Sequence, residues 1–147
     1  EDGIRDYKVT GVQTCALPIY TAGLRMHPMA RMTYKKDFDS VAKYVASLPK
    51  AQVADTLKGD PSRGKKYYTP CLACHGPKGE GNQALNAPPL VGVNDWYLLQ
   101  QMHNFRLGVR AGDPASDPTG AAMVPQAMIL TDEQAIKDVI RYVQTLE

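Results

Sequence analysis

The chain has 147 residues, enough for one domain or a little more, with 44% hydrophobic residues, 22% charged residues and a net charge of +2. So small a charge gives no electrostatic footprint for nucleic acid or an anionic membrane, and no apolar run approaches the ~20 residues of a membrane helix. Most of the eleven prolines and twelve glycines crowd into residues 59–92 and 108–125, leaving helix-patterned segments between them and no alternating strand-like runs, so the expected class is all-α with long Gly/Pro-rich loops.

The first nineteen residues stand apart. "EDGIRD" and "VTGVQTCALPI" can both be written in codons that spell an indexed sequencing-library adapter, with Tyr7 and Lys8 filling the variable index. Residues 1–19 are therefore expected to be non-native and disordered, with no part in the fold. Cys15 goes with them, which leaves two cysteines in the genuine chain. No secretory signal pattern opens the sequence, and any such signal is expected to have been lost with the start of the gene. Without these residues the formal charge is +3.

Residues 25–48, "RMHPMARMTYKKDFDSVAKYVASL", run parallel to residues 122–146, "AMVPQAMILTDEQAIKDVIRYVQTL". Both read Met-x-Pro, a polar helix start, then a helix ending Tyr-Val-x-(Ser/Thr)-Leu. Met26 corresponds to Met123, Pro28 to Pro125, Tyr44 to Tyr142 and Leu48 to Leu146, with one residue fewer in the first copy. This is an internal repeat. Residues 51–58 read as a linker.

Asp60 is a plausible N-cap and Pro61 suits a first helical position, so a short helix is expected to lead into "CLACH". There Cys71, Cys74 and His75 form the c-type haem attachment pattern. Two thiols three residues apart can bond two vinyl groups on one porphyrin edge, and the next residue then meets the iron through an imidazole nitrogen. A zinc site wants a second pair of ligands, and His103 stands alone twenty-eight residues on. A thioredoxin-like redox pair wants a βαβ setting, which is not visible.

With these flanks the chain resembles the class I cytochromes c, an all-α fold of a few helices wrapped around one covalently bound haem c. The family's P-x-L-x-G segment is matched by Pro88, Leu90 and Gly92. The resemblance implies that the carbonyl of Pro88 accepts the second ring N–H of His75, and that Leu90 lies beside the haem. It also implies that the first and last helices cross at Gly64, with Tyr68 and Tyr142 filling the gap.

A low-spin carrier needs a second axial ligand, and methionine sulfur raises the reduction potential. Met102 falls on the apolar side of a helix-patterned segment and reads as packing. Met123 and Met128 lie in a segment expected to be irregular, where a thioether can be aimed without disturbing a helix. In the two-domain di-haem cytochromes c (the c-four type) the ligand precedes the leucine of an L-S/T-D helix start by seven residues, which selects Met123 ahead of Leu130. His75 and Met123 are thus the expected metal ligands. Tyr97 and Arg110 are the candidates for the haem propionates, although surface ion pairs would explain the arginine equally well.

Thr131 with Gln134 reads as a capping box opening the last helix, whose apolar stripe is Ile136, Val139, Ile140 and Val143. The expected domains are 20–50, the end of a preceding cytochrome domain, then the linker, then a haem-binding domain at 59–147. The expected function is single-electron transfer in a bacterial respiratory-type chain, without catalysis, with redox proteins as partners, no nucleic acid, and membrane contact only through those partners. Haem c attachment outside the cytoplasm implies the periplasm. The alternatives are a cytochrome module of a larger oxidase or dehydrogenase, a haem sensor or peroxidase with an open iron site, and a zinc or disulfide module.

Overall fold

The computed structural model describes residues 21–49, 55–115 and 117–146. The readings of residues 1–19, Cys15 included, and of the first part of the expected linker lie outside the described residues. Helices α1 (Thr21–Met32) and α2 (Phe38–Ser47) come first, joined through a 3-10 turn at Lys35–Asp37. Next is α3 (Pro61–Tyr67), which runs through a 3-10 turn at Thr69–Cys71 into the single turn of α4 (Leu72–His75). A long loop leads to α5 (Asp95–Arg106), α6 (Pro118–Ile129) and α7 (Glu133–Gln144). Among the described residues there is no strand beyond one isolated bridge, Asn82 with Ala87. No described helix is long and apolar enough to cross a membrane.

The helix starts follow from local chemistry. The Asp60 carboxylate accepts the N–H groups of Ser62 (2.8 Å) and Arg63 (3.4 Å), and Pro61 occupies the first helical position. The last helix begins one residue later than the capping-box reading places it. Asp132, in extended backbone, accepts the N–H of Ala135 at 2.8 Å, and Gln134 turns instead to Asp138 (2.9 Å). A carboxylate at a helix N-terminus gains from the helix dipole as well as from the hydrogen bond, so Asp132 displaces Thr131.

Met123 also differs from its sequence reading. It lies inside α6, not in irregular backbone. Asp117 caps that helix through the N–H of Gly120 (2.8 Å) and Pro118 opens it. Pro125 sits within it as a tolerated interruption, because its missing N–H costs one hydrogen bond rather than the helix.

The core forms where α3 crosses α7. A Cβ on Gly64 would land on the carbonyl of Asp138 and 2.9 Å from Cβ of Tyr142, so only glycine lets the two backbones meet. Tyr68 packs beside Tyr142 with ring centroids 5.4 Å apart. Around them Ile136, Val139, Ile140, Val143, Leu130 and Ala135 are buried, each large aliphatic side chain contributing roughly 1.5–3 kcal/mol by leaving water. Phe105, Ala111 and Ala127 form a second cluster, and Met102 packs against both.

Two buried carboxylates tie the entering chain to this core. Asp95 accepts from the Thr56 N–H and hydroxyl (2.6 and 2.8 Å) and from the Leu57 N–H (2.8 Å). Asp138 accepts from the Asp60 N–H (2.8 Å) and from Arg63 Nε (2.8 Å). Burial alone would raise both carboxyls, but these donors outweigh it and hold them below the ordinary aspartate value. Residues 55–58, read from sequence as linker, are in this way fastened to the domain.

Candidate metal centre

Tyr68 ends α3, and the chain then tightens through the 3-10 turn into α4, so Cys71, Cys74 and His75 lie on little more than one turn. Cys71 is half-buried against the main core, and Cys74 is exposed. Both are free thiols. Burial, and then the neighbouring Cys74, push the Cys71 thiol up to about 11. That is opposite to the depressed thiol of a redox-active CxxC pair.

His75 is only 5% exposed. Its Nδ1 lies 2.9 Å from the carbonyl oxygen of Pro88. A carbonyl can only accept, so Nδ1 carries the proton and Nε2 is left with its lone pair bare. Burial lowers the imidazole's proton affinity, while the Pro88 hydrogen bond opposes that shift. A neutral ring with a fixed tautomer is what metal ligation requires. Two unpaired thiols and an oriented imidazole on one turn suit covalent haem c. Among the described residues no group of three or more His, Cys, Asp or Glu side chains assembles as an alternative metal site.

The loop that carries Pro88 is closed by backbone bonds. Gly81 donates to the His75 carbonyl (2.8 Å), and Leu90 donates to the Gly79 carbonyl (2.7 Å). At Gly81 φ is +80°, and a Cβ there would stand 2.6 Å from the nitrogen of Pro89. The glycine therefore lets the post-motif turn lie directly on the Pro88–Pro89 segment. Leu90 packs on the main core together with Cys71.

The other sequence candidates are placed as follows. Met123 is half-buried in α6 against Phe105, Ala111 and Ala127, and Met102 bridges that cluster to the one containing Cys71 and Leu90. Met128 is exposed. Tyr97 is half-buried on α5, its ring edge-on to Trp96 at 6.0 Å. Arg110 donates from Nη1 to Gln101 (2.9 Å) and stacks its guanidinium 4.6 Å from the Phe105 ring centre. One contact at the site escapes sequence reading altogether: the Tyr68 hydroxyl donates to the carbonyl of Gly76, at 2.8 Å. The only sequence signal for it is a tyrosine where phenylalanine would pack as well.

The family model described as "Cytochrome c" matches residues 61–147. A "Thiosulfate dehydrogenase electron acceptor" from Stutzerimonas stutzeri is 30% identical over 100 residues, covering 60% of this chain and 46% of that protein. "Cytochrome c4" from Azotobacter vinelandii is 41% identical over 56 residues, 38% of this chain and 26% of that protein. "Cytochrome c-554(548)" from Halomonas halodenitrificans is 35% identical over 89 residues, 60% of this chain and 99% of that protein. The chain thus spans less than half the length of the first two and nearly all of the third.

Proposed function

The chain belongs to the cytochrome c family, a haem c electron carrier whose CxxCH residues are Cys71, Cys74 and His75, and from that premise we propose that His75 and Met123 are its two axial ligands. The observation that carries the reading is the His75–Pro88 hydrogen bond, which leaves one imidazole nitrogen free beside two unpaired thiols. When bound, the haem supplies a one-electron iron couple. The chain's part would be to attach it through Cys71 and Cys74 and to hold it with Nε2 of His75 and the Met123 thioether. Held by both His75 and Met123, the group would offer no open ligand site, which suits electron transfer rather than diatomic or peroxide chemistry. Tyr97 and Arg110 would serve the propionates, with Pro88 orienting the ligand ring and Leu90 packing beside it.

The test is maturation of the chain with haem-attachment machinery, followed by spectroscopy. A c-type pyridine haemochrome and a sulfur-to-iron charge-transfer band in the oxidised protein are expected. The Met123→Ala variant should lose that band, and Met26→Ala should keep it. A band that survives Met123→Ala, or a high-spin wild type, would overturn this ligation.

The partners we assign are redox proteins on either side of this carrier, in the periplasm. The name of the Stutzerimonas relative, an electron acceptor for a dehydrogenase, supports a place in a respiratory-type chain. We further propose that residues 20–50 close a preceding cytochrome domain, that 51–58 link it to the domain at 59–147, and that 1–19 are non-native. The support is internal: α1 and α6 are both twelve residues long, with methionine sixth and proline eighth. Sequencing the native locus tests this. A second CxxCH some sixty codons before Met26 is expected, and uninterrupted unrelated sequence there would remove the reading.

A further inference from the structure

Tyr68 is 1% exposed, and its ring fills the crossing of α3 and α7 beside Tyr142. A phenylalanine would fill the same space. The hydroxyl therefore needs its own explanation, because burying it costs free energy unless it finds a partner. Its partner is not in either helix. It donates to the carbonyl of Gly76, the residue immediately after His75.

Gly76 begins the turn that returns the chain to Pro88. Its carbonyl also accepts the Gly79 N–H (3.2 Å), and the Gly79 carbonyl in turn accepts the N–H of Leu90 (2.7 Å), two residues beyond Pro88. On the other side of the same turn, the His75 carbonyl takes the Gly81 N–H (2.8 Å). Tyr68 thus anchors one end of a hydrogen-bonded ladder whose other end fixes where the Pro88 carbonyl meets Nδ1 of His75. Burial above all pushes the phenol up to about 12, so the hydroxyl stays a proton donor across the working range of pH.

From this ladder we propose that Tyr68 is a positioning residue for the haem ligand: its hydroxyl holds the Gly76–Leu90 loop and thereby the His75–Pro88 hydrogen bond. The proposal rests on His75 being an axial ligand. A hydrogen bond to the distal nitrogen of a ligating imidazole makes the ring a stronger donor, which favours the oxidised iron and lowers the potential. Loosening that bond should therefore raise it.

The decisive variant is Tyr68→Phe in the haem-loaded chain, compared with wild type and with Tyr142→Phe. It removes one oxygen and orphans nothing, since the Gly76 carbonyl keeps the Gly79 N–H. Two readouts are expected to move: a higher reduction potential, and exchange of the His75 ring N–H with solvent that is about five- to tenfold faster by NMR, the size of one lost hydrogen bond. Tyr142→Phe should leave both unchanged. If Tyr68→Phe lowers the melting temperature but shifts neither the potential nor the exchange rate, the hydroxyl serves packing alone and the proposal falls. A wild-type spectrum without histidine-ligated haem overturns the ligation reading itself, and this one with it.

Discussion

Two helix pairs in this molecule are written on one template and meet opposite fates. In α6–α7 the stripe Ile136, Val139, Ile140 and Val143 is buried against α3 and the rest of the core. The matching positions in α2, counted from Tyr44 opposite Tyr142, are Phe38, Val41, Ala42 and Val45. No residue of α2 is buried, and Val41 and Val45 are 50% and 59% exposed. The same periodicity therefore specifies a helix in both places but stabilises a tertiary structure only where a complementary face is supplied. The C-terminal pair has that face because α3 brings Gly64, which allows close approach, and Tyr68, which fills the gap. The charged groups differ in the same sense. Asp138 receives Arg63 and the Asp60 N–H, whereas its counterpart Ser40 offers nothing equivalent.

The sharpest way to break this comparison is to truncate both stripes. Ile136→Ala removes a side chain with no exposed surface and should cost about 2–5 kcal/mol, the range for a large aliphatic cut from a packed core. Val41→Ala, at its half-exposed counterpart's neighbouring stripe position, should change stability by less than about 0.5 kcal/mol. Guanidinium unfolding of the haem-loaded chain, followed through the Soret band, measures both. Comparable losses from the two substitutions would mean that the first pair is packed after all.

A second contrast concerns the buried carboxylate. Asp138→Ala leaves the Asp60 N–H and the Arg63 guanidinium without their acceptor and should cost roughly 1–3 kcal/mol, while Ser40→Ala should be close to neutral. The pH dependence follows the same group. Because the folded Asp138 and Asp95 lie below the ordinary carboxyl value of 3.8, the folded state binds fewer protons than the unfolded chain in acid. Their contribution is complete above that value and is lost as pH falls through the lower folded values. Unfolding free energy measured between pH 7 and pH 3 should thus drop in the acid limb, and the Asp138→Asn variant should show a shallower drop. An unchanged slope would remove Asp138 as a source of acid sensitivity.

What could be read from the sequence was local chemistry. Cys71, Cys74 and His75 are adjacent, Asp60–Pro61 is a cap followed by its first helical residue, and the α7 stripe is a period within one helix, so each signal is complete within a few residues. The Met123 segment reads as irregular in sequence, but Asp117 and Pro118 start a helix that continues through Pro125. The anchoring of residues 55–58 was invisible because its bonds join positions 38 and 39 apart in the chain, Leu57 and Thr56 to Asp95. The Arg110 contacts to Gln101 and Phe105 and the Tyr97 ring against Trp96 were equally out of reach, because they depend on how α5 and the loop after it pack. The repeat was legible, but the exposure of one copy was not, since burial belongs to the partner surface as much as to the helix.

The smallest contrast lies at the starts of α2 and α7. Each is preceded by an aspartate, yet only one works as a cap. Asp132 has extended backbone, φ −135° and ψ 168°, which aims its carboxylate back at the Ala135 N–H. Asp37 follows the 3-10 turn with helical backbone, φ −96° and ψ −11°, and its side chain makes no cap hydrogen bond. Cap geometry, not cap chemistry, separates them. Asp132→Ala should therefore cost about 1 kcal/mol, while Asp37→Ala and Thr131→Ala should each stay within about 0.5 kcal/mol. The same unfolding titration resolves the difference. If Thr131→Ala were the costly substitution instead, the capping box that the sequence suggests would be the true start of the last helix, and the contrast between the two aspartates would vanish.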